Sequence, residues 1–311
     1  MDGLLVVDKP AGPTSHDVVA RVRRVLHERR VGHTGTLDPI ATGVLPLVVG
    51  RATRLARFLS AGDKTYEAQV ALGCATDTGD ALGTPIPGPE SSSRPAPSRD
   101  EIERALDAFR GTFLQQPPVY SAKKLAGKRS YELARSSVPA GSLRPQPVPV
   151  TVHRLDLVDI QGSTVTLTVD CAAGFYVRAL AHELGERLGL GGHLVALRRI
   201  RSGEYTVNDA VPLDEAERDA ASATGRLIPL SRMLPQLPSI ELTPEGVRRA
   251  RHGQNLGPGD AEKGVGGRFP DVALKTTPDP FFRLTDPTGD LVGIARPADA
   301  PGLLHPFVIL G

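Results

Sequence analysis

Apolar residues fall in short runs with two different spacings. Leu4 to Val7 is a continuous apolar stretch, the pattern of a short buried strand. Lys9-Pro10-Ala11-Gly12-Pro13-Thr14-Ser15 follows as a turn, and Thr14 or Ser15 can then cap a helix through Val18, Val19, Val22, Val25 and Leu26. Val44 to Val49 is a second apolar strand, with a short helix expected over roughly Ala52 to Ser60. Lys64 to Leu72 alternates, placing Tyr66, Ala68, Val70 and Leu72 on one face, and Thr164 to Asp170 alternates more cleanly still. Val177, Leu180, Ala181, Leu184 and Leu188 mark a helix face that ends near Gly189. Strands and helices in irregular order predict an α+β core and no repeat architecture.

Proline punctuates the rest. Pro85 to Pro97 and Ser136 to Pro149 read as insertions or loops. The character changes near Leu230 to Ser239, and beyond it a separate unit of short strands is expected: Phe281 to Leu284, Leu291 to Ala295 and Pro306 to Leu310, the first two joined by a turn at Asp286 to Asp290. The predicted division is residues 1–232 and 237–311.

Composition narrows the class. The chain has 311 residues, 40% hydrophobic and 23% charged, with two cysteines (Cys74 and Cys171). That is ordinary globular material, with too little cysteine for a disulfide framework or a Cys-based metal site. A reduced, cytoplasmic setting is expected, because the N-terminal apolar run is too short for a signal peptide and no run reaches transmembrane length. The net charge of +2 is uneven: residues 9–57 carry nine Lys/Arg against three acids. Such a stretch suits a polyanionic substrate, or it is a solvated face rich in arginine.

The same stretch holds the candidate chemistry. Gly32-His33-Thr34-Gly35-Thr36-Leu37-Asp38-Pro39-Ile40-Ala41-Thr42-Gly43-Val44-Leu45-Pro46 carries one carboxylate among glycines, threonines and prolines. This composition fits neither a helix interior nor a regular strand and suits a tight loop approaching a ligand. Asp38 is then either a stiffly held catalytic acid or an Asx-turn residue satisfying its own backbone.

The run closely resembles the signature loop of the TruB family of tRNA pseudouridine synthases, whose aspartate aligns with Asp38. Four further stretches resemble that family's motifs in order: Lys9 to Ser15; Thr65-Tyr66 with Thr76-Asp77-Thr78-Gly79-Asp80; Gln116 to Lys124; and Gly174-Phe175-Tyr176-Val177-Arg178 followed by Leu197-Arg198-Arg199. One departure is Ala172-Ala173, where the family often has Ser-Lys, so a basic contact is expected to be missing there.

The resemblance implies a mixed sheet flanked by helices, with a cleft across it and a short PUA-like RNA-binding unit after it. It implies isomerisation of the uridine at position 55 of the tRNA T-loop, with the T-arm as partner and with no cofactor, metal, membrane or protein partner. Asp38 would be the nucleophile and Arg178 its ion-pair partner, since an adjacent cation favours a charged carboxylate. Tyr66 would stack on the base and serve as a base for a sugar proton. Tyr176 would line the pocket, and Leu197 would form an apolar wall or simply pack in the core. His33 would fill the gap left by extruded bases. Lys9 would contact phosphate or brace the catalytic loop. The chemistry asks for a single acid: the leaving uracil delocalises its charge, stays bound and attacks again, so no water is activated, unlike a glycosidase. A tRNA-folding chaperone whose binding does not depend on catalysis is the alternative.

Overall fold

The structure is a computed structural model that describes residues 1–87, 96–118, 146–263 and 280–311, together with the backbone of a two-residue hairpin at 124–125 and 128–129. The chain opens with strand β1 (Gly3–Lys9) and helix α1 (Ser15–Val25). Thr14 caps α1: its hydroxyl accepts from the Asp17 amide and the Asp17 carboxylate accepts from the Thr14 amide. Its valines at 18, 19 and 22 are buried, as their spacing requires. Strands β2 (Val31–His33) and β3 (Ala41–Val49), helix α2 (Ala56–Ser60) and strand β4 (Lys64–Leu72) follow.

One ten-stranded mixed sheet dominates. Its path runs from Val211–Pro212 through β1, β3, Gly192–Ser202, β4, Thr164–Cys171 and Val148–Gln161 to Gly111–Gln115. The 192–202 strand is its hinge. It lies parallel to β3, with Leu197 opposite Ala41 and Arg199 opposite Gly43. On its other side it is antiparallel to β4, with Arg199 opposite Tyr66. Gly43 adopts φ +98, and a Cβ there would sit 2.2 Å from the Arg199 carbonyl oxygen, so this crossing needs glycine. The helix Val177–Arg187 packs on the 192–202 strand and β4. The expected α+β core with a mixed sheet and flanking helices is the architecture found.

Several sequence expectations need correction. The glycine-rich run is strand up to His33 and again from Ala41, leaving 34–40 as the loop. The pairing of His33 with Leu47 across the turn overrides local composition. The helix expected over 52–60 is a 3-10 turn (Gly50–Leu55) running into α2. Val148 and Pro149, read as loop, begin a fourteen-residue strand. Residues 88–95, 119–123 and 136–145, parts of stretches named in the sequence reading, lie outside the described residues.

A second, five-stranded sheet holds Ser239–Leu242, Ala261–Lys263, Phe282–Thr285, Leu291–Pro297 and Leu304–Ile309. It is less separate than its sequence suggests. Leu291, Ile294 and Leu310 share one apolar cluster with Leu4, Val6, Val44 and Val48 of the first sheet and with Ala52 and Leu55 of the 3-10 turn that follows β3. Met233 and Leu234, in the stretch where the sequence changes character, are fully enclosed in that cluster. Burying this apolar face, at about 25 cal/mol per Å2, offsets the cost of ordering the connection.

Arginines reinforce the junction. Arg51 pairs with Asp2 at 2.8 Å and donates to the Leu310 carbonyl at 2.8 Å; Arg54 donates to the Ile309 carbonyl. Arg57 lies over the rings of Phe58, Phe281 and Phe307, at 4.7 Å from the last, and Arg296 covers the same Phe307 ring at 5.0 Å. Three of the nine cations counted in residues 9–57 are therefore engaged by the second sheet.

Candidate active site

The loop 34–41 is fixed by its carbonyls. Arg199 Nη2 donates to Gly35 O at 3.1 Å and its Nε to Val44 O at 2.7 Å. The Ser15 hydroxyl donates to Leu37 O at 3.0 Å and accepts from the Leu37 amide at 2.8 Å. The Gly12 amide donates to Pro39 O at 2.8 Å. Lys9 Nζ donates to Ala41 O at 2.6 Å, to Pro39 O at 3.4 Å and to Pro10 O at 2.9 Å. Carbonyls 35, 37, 39 and 41 are thus all held from outside the loop. Buried backbone acceptors demand such partners.

Asp38 sits in the middle of this braced segment with its side chain 36% exposed. Arg178 Nε donates to Asp38 Oδ2 at 2.8 Å. Arg178 is buried near the start of the 177–187 helix, and its Nη1 donates to the Thr78 carbonyl at 2.8 Å. A second carboxylate faces the same guanidinium: Asp80 Oδ2 lies 3.9 Å from Arg178 Nε. Asp80 is itself secured by the Thr78 hydroxyl at 2.8 Å and the Leu82 amide at 3.0 Å. The sequence reading saw no second acid beside Asp38; the fold supplies one from 42 residues away. A buried guanidinium between two acids has its charge compensated, which isolated burial would not allow.

Tyr66 enters from β4, directly opposite Arg199. The residue is partly exposed, while burial around its hydroxyl pushes the pKa up; Arg199 pulls in the opposite direction, and Asp38 is close enough to add to the rise. Tyr176, also partly exposed, caps the start of the helix that carries Arg178. Its amide donates to Gln115 Oε1 at 2.9 Å and its carbonyl accepts from Gln115 Nε2 at 3.1 Å, so a fully buried glutamine sets its backbone. His33 lies at the end of β2 and meets His16, in the first turn of α1, edge to face at 5.2 Å. Leu197 is buried in the main core, and the packing reading accounts for that position.

Lys9 is a correction. As a substrate contact it would need exposure, yet it is fully buried with its ammonium on three carbonyls. Burial pulls its pKa down from 10.5 to about 8, opposed by the nearby Asp38. The geometry supports the loop-bracing role. Ser15, Asp80 and Arg199 do further work that the sequence reading did not assign. Each sat inside a quoted motif, but nothing in one dimension revealed which carbonyl or guanidinium it meets. Among the described residues there is no cluster of His, Cys, Asp and Glu able to hold a metal, and no helix long and apolar enough to cross a membrane.

The arrangement offers one half-exposed carboxylate, oriented by a buried guanidinium on a rigid loop, beside a tyrosine. That set can stabilise a developing positive charge on a ligand without activating water.

Comparison with known proteins bears on the chain as a whole. Residues 23–177 match the family model described as TruB family pseudouridylate synthase (N terminal domain), and residues 178–234 match the tRNA pseudouridylate synthase B C-terminal domain. A tRNA pseudouridine synthase B from Solibacter usitatus is 41% identical over 313 residues, covering 100% of both chains. One from Geobacillus kaustophilus is 44% identical over 264 residues, covering 82% of this chain and 91% of its own. Among solved structures, a chain of a Cbf5-Nop10-Gar1 complex superposes with a TM-score of 0.73 at 24% identity, over 99% of this chain and 85% of that one. A chain of the archaeal box H/ACA sRNP Nop10-Cbf5 complex gives 0.68 at 23% identity, over 99% and 86%. At that identity the likeness is one of fold.

Proposed function

The chain belongs to the TruB family of pseudouridylate synthases, and from that premise we propose that it isomerises a uridine of tRNA to pseudouridine, the uridine at position 55 in the T-loop being the target. The observation that carries the site assignment is the 2.8 Å contact of Arg178 with Asp38 on a loop whose carbonyls at 35, 37, 39 and 41 are held from outside it.

In this reading the target nucleotide is extruded from the RNA loop, which exposes its glycosidic bond. The C1′–N1 bond breaks as the Asp38 carboxylate stabilises or traps positive charge at C1′. The freed uracil turns within the pocket, and C5 bonds to C1′ while its C5 proton is transferred to the released N1 side of the ring, so no atom is gained or lost. Tyr66 stacks on the uracil and Tyr176 lines the pocket. Arg178 keeps Asp38 oriented while the substrate's phosphates approach. His33, with His16 behind it, occupies space left by the extruded bases. An acid held by a buried guanidinium and turned toward a polyanion has no use in binding alone, which favours chemistry over a purely chaperoning role. The sheet after residue 237 supports this reading as an added RNA-binding unit.

The test is to incubate the protein with an unmodified tRNA transcript and map pseudouridine. Product at position 55 from the wild type, with none from Asp38→Asn, is the expected result. Product elsewhere, or product from Asp38→Asn above about a hundredth of wild type, would remove the position or the role of Asp38 respectively.

A further inference from the structure

The structure redistributes the nine basic residues between positions 9 and 57. Lys9 is buried on carbonyls, and Arg51, Arg54 and Arg57 are engaged at the junction of the two sheets. Arg21 pairs with Glu217 at 3.6 Å, and Arg30 with Glu28 at 3.7 Å. Arg23 donates to the Val31 carbonyl at 2.7 Å. Arg24 and Arg29 are left: both exposed, and neither within 4.0 Å of a carboxylate among the described residues.

These two converge. Arg23, Arg24, His27, Glu28 and Arg29 line an open, shallow concavity at the C-terminal end of α1. Cations at the end of a helix complement its dipole, which explains Arg23 and Arg24. It does not explain Arg29. The chain reverses there, with His27 at φ 49, and brings Arg29 back beside Arg24 on its way into β2. The one acid of the concavity, Glu28, is compensated by Arg30 and by the N-terminal ammonium at 4.0 Å.

The concavity is also aligned with the candidate active site. Ser15 at the other end of α1 is bonded to Leu37, the neighbour of Asp38. His16 touches His33 at the far end of β2. Arg24 lies nine residues beyond Ser15, about 14 Å at 1.5 Å per residue. That is roughly four steps of a stacked nucleic-acid strand at ~3.4 Å each.

We propose that Arg23, Arg24, His27 and Arg29 form a phosphodiester-binding site for the RNA stem adjoining the loop that carries the target uridine. The inference rests on the functional reading above and adds a second anchoring point to it. Such a contact sets register and affinity and supplies no chemistry.

The experiment measures binding as a function of salt, using R24Q/R29Q and a control pair, R104Q/R226Q, that removes the same charge from exposed arginines elsewhere. Two RNAs are compared: a T-arm stem-loop and an oligonucleotide of its loop residues alone. The site predicts a three- to ten-fold loss of affinity for the stem-loop with R24Q/R29Q. The slope of log affinity against log salt should fall by about 1–2. The loop oligonucleotide and the control pair should behave as wild type, with melting temperatures unchanged throughout. An unchanged slope, an equal defect in the control pair, or an equal defect on the stemless oligonucleotide would overturn the site. Wild type that binds the stem-loop with the expected salt response but forms no pseudouridine would overturn the functional reading and leave the phosphate site standing.

Discussion

Two groups of arginines do opposite work in this molecule. Arg178 is buried and its contacts include charged and carbonyl oxygens: Asp38, Asp80 and the Thr78 carbonyl. Arg51, Arg54 and Arg57 are exposed, repeat every third residue from the 3-10 turn into α2, and reach across to carbonyls and a phenyl ring in and just past the last strand. The first arrangement concentrates charge in a low-dielectric place, where each contact counts for more. The second spreads modest contacts over a seam already closed by Leu291, Ile294 and Leu310. Position in the fold, more than residue type, decides what an arginine does here.

That contrast can be broken at several strengths. Asp38→Asn keeps the shape of the side chain but cannot stabilise a cation. Turnover should fall at least a hundred-fold, with tRNA affinity within a few-fold of wild type in a filter-binding titration. Arg178→Lys should be severely impaired in single-turnover assays, because one ammonium cannot serve Asp38 and Thr78 with planar geometry. Arg178→Ala should also lose about 2–4 kcal/mol in a denaturant melt, since Asp38 and Asp80 are left facing each other; exposure of Asp38 keeps the loss from being larger. Near-normal activity of the lysine variant would dissolve the distinction between the two arginine groups.

A weaker effect is expected at Lys9, and its sign is set by burial. The folded value of about 8 lies below the unfolded 10.5, so the unfolded chain binds more protons between them. Stability contributed by this group therefore rises with pH from about 8 to 10.5. Relative to Lys9→Met, the wild type should gain about 2–3 kcal/mol across that interval in paired denaturant melts. A flat difference would mean that the ammonium is not enclosed. The smallest effect belongs to the seam: Arg57→Ala should cost about 0.5–2 kcal/mol by lost ring contacts and change turnover less than two-fold. A large catalytic loss there would make the seam part of the active site.

The legible part of the fold was its local part. Alternation found β4 and Thr164–Cys171, and the valine spacing with Thr14 found α1. The 192–202 strand was missed because its sequence, Gly-His-Leu-Val-Ala-Leu-Arg-Arg-Ile-Arg-Ser, does not alternate: arginines interrupt its apolar run, and register shifts against β4 at 194–196 and 199–201 change which residues face the core. In the site, Asp38, Arg178 and Tyr66 were readable from motifs. Asp80 beside Arg178, and Arg199 under the 34–41 loop, were not, because those contacts span 98 and 164 residues of chain. The basic count over residues 9–57 misled for the same reason: charge was visible, partners were not.

The bracing of residues 35–41 carries a consequence for what the loop tolerates. Its anchors come from four places in the chain: the end of β1, the turn at Gly12, the start of α1 and the 192–202 strand. None can slide in step with the others, so the segment works as a ruler. Replacing a side chain such as Thr36 leaves every mark in place. Adding or deleting one residue between Gly35 and Ala41 shifts each carbonyl off its anchor at once and swings residue 38 away from the guanidinium. Under the proposed function, the number of residues in this stretch thus matters as much as the identity of its aspartate.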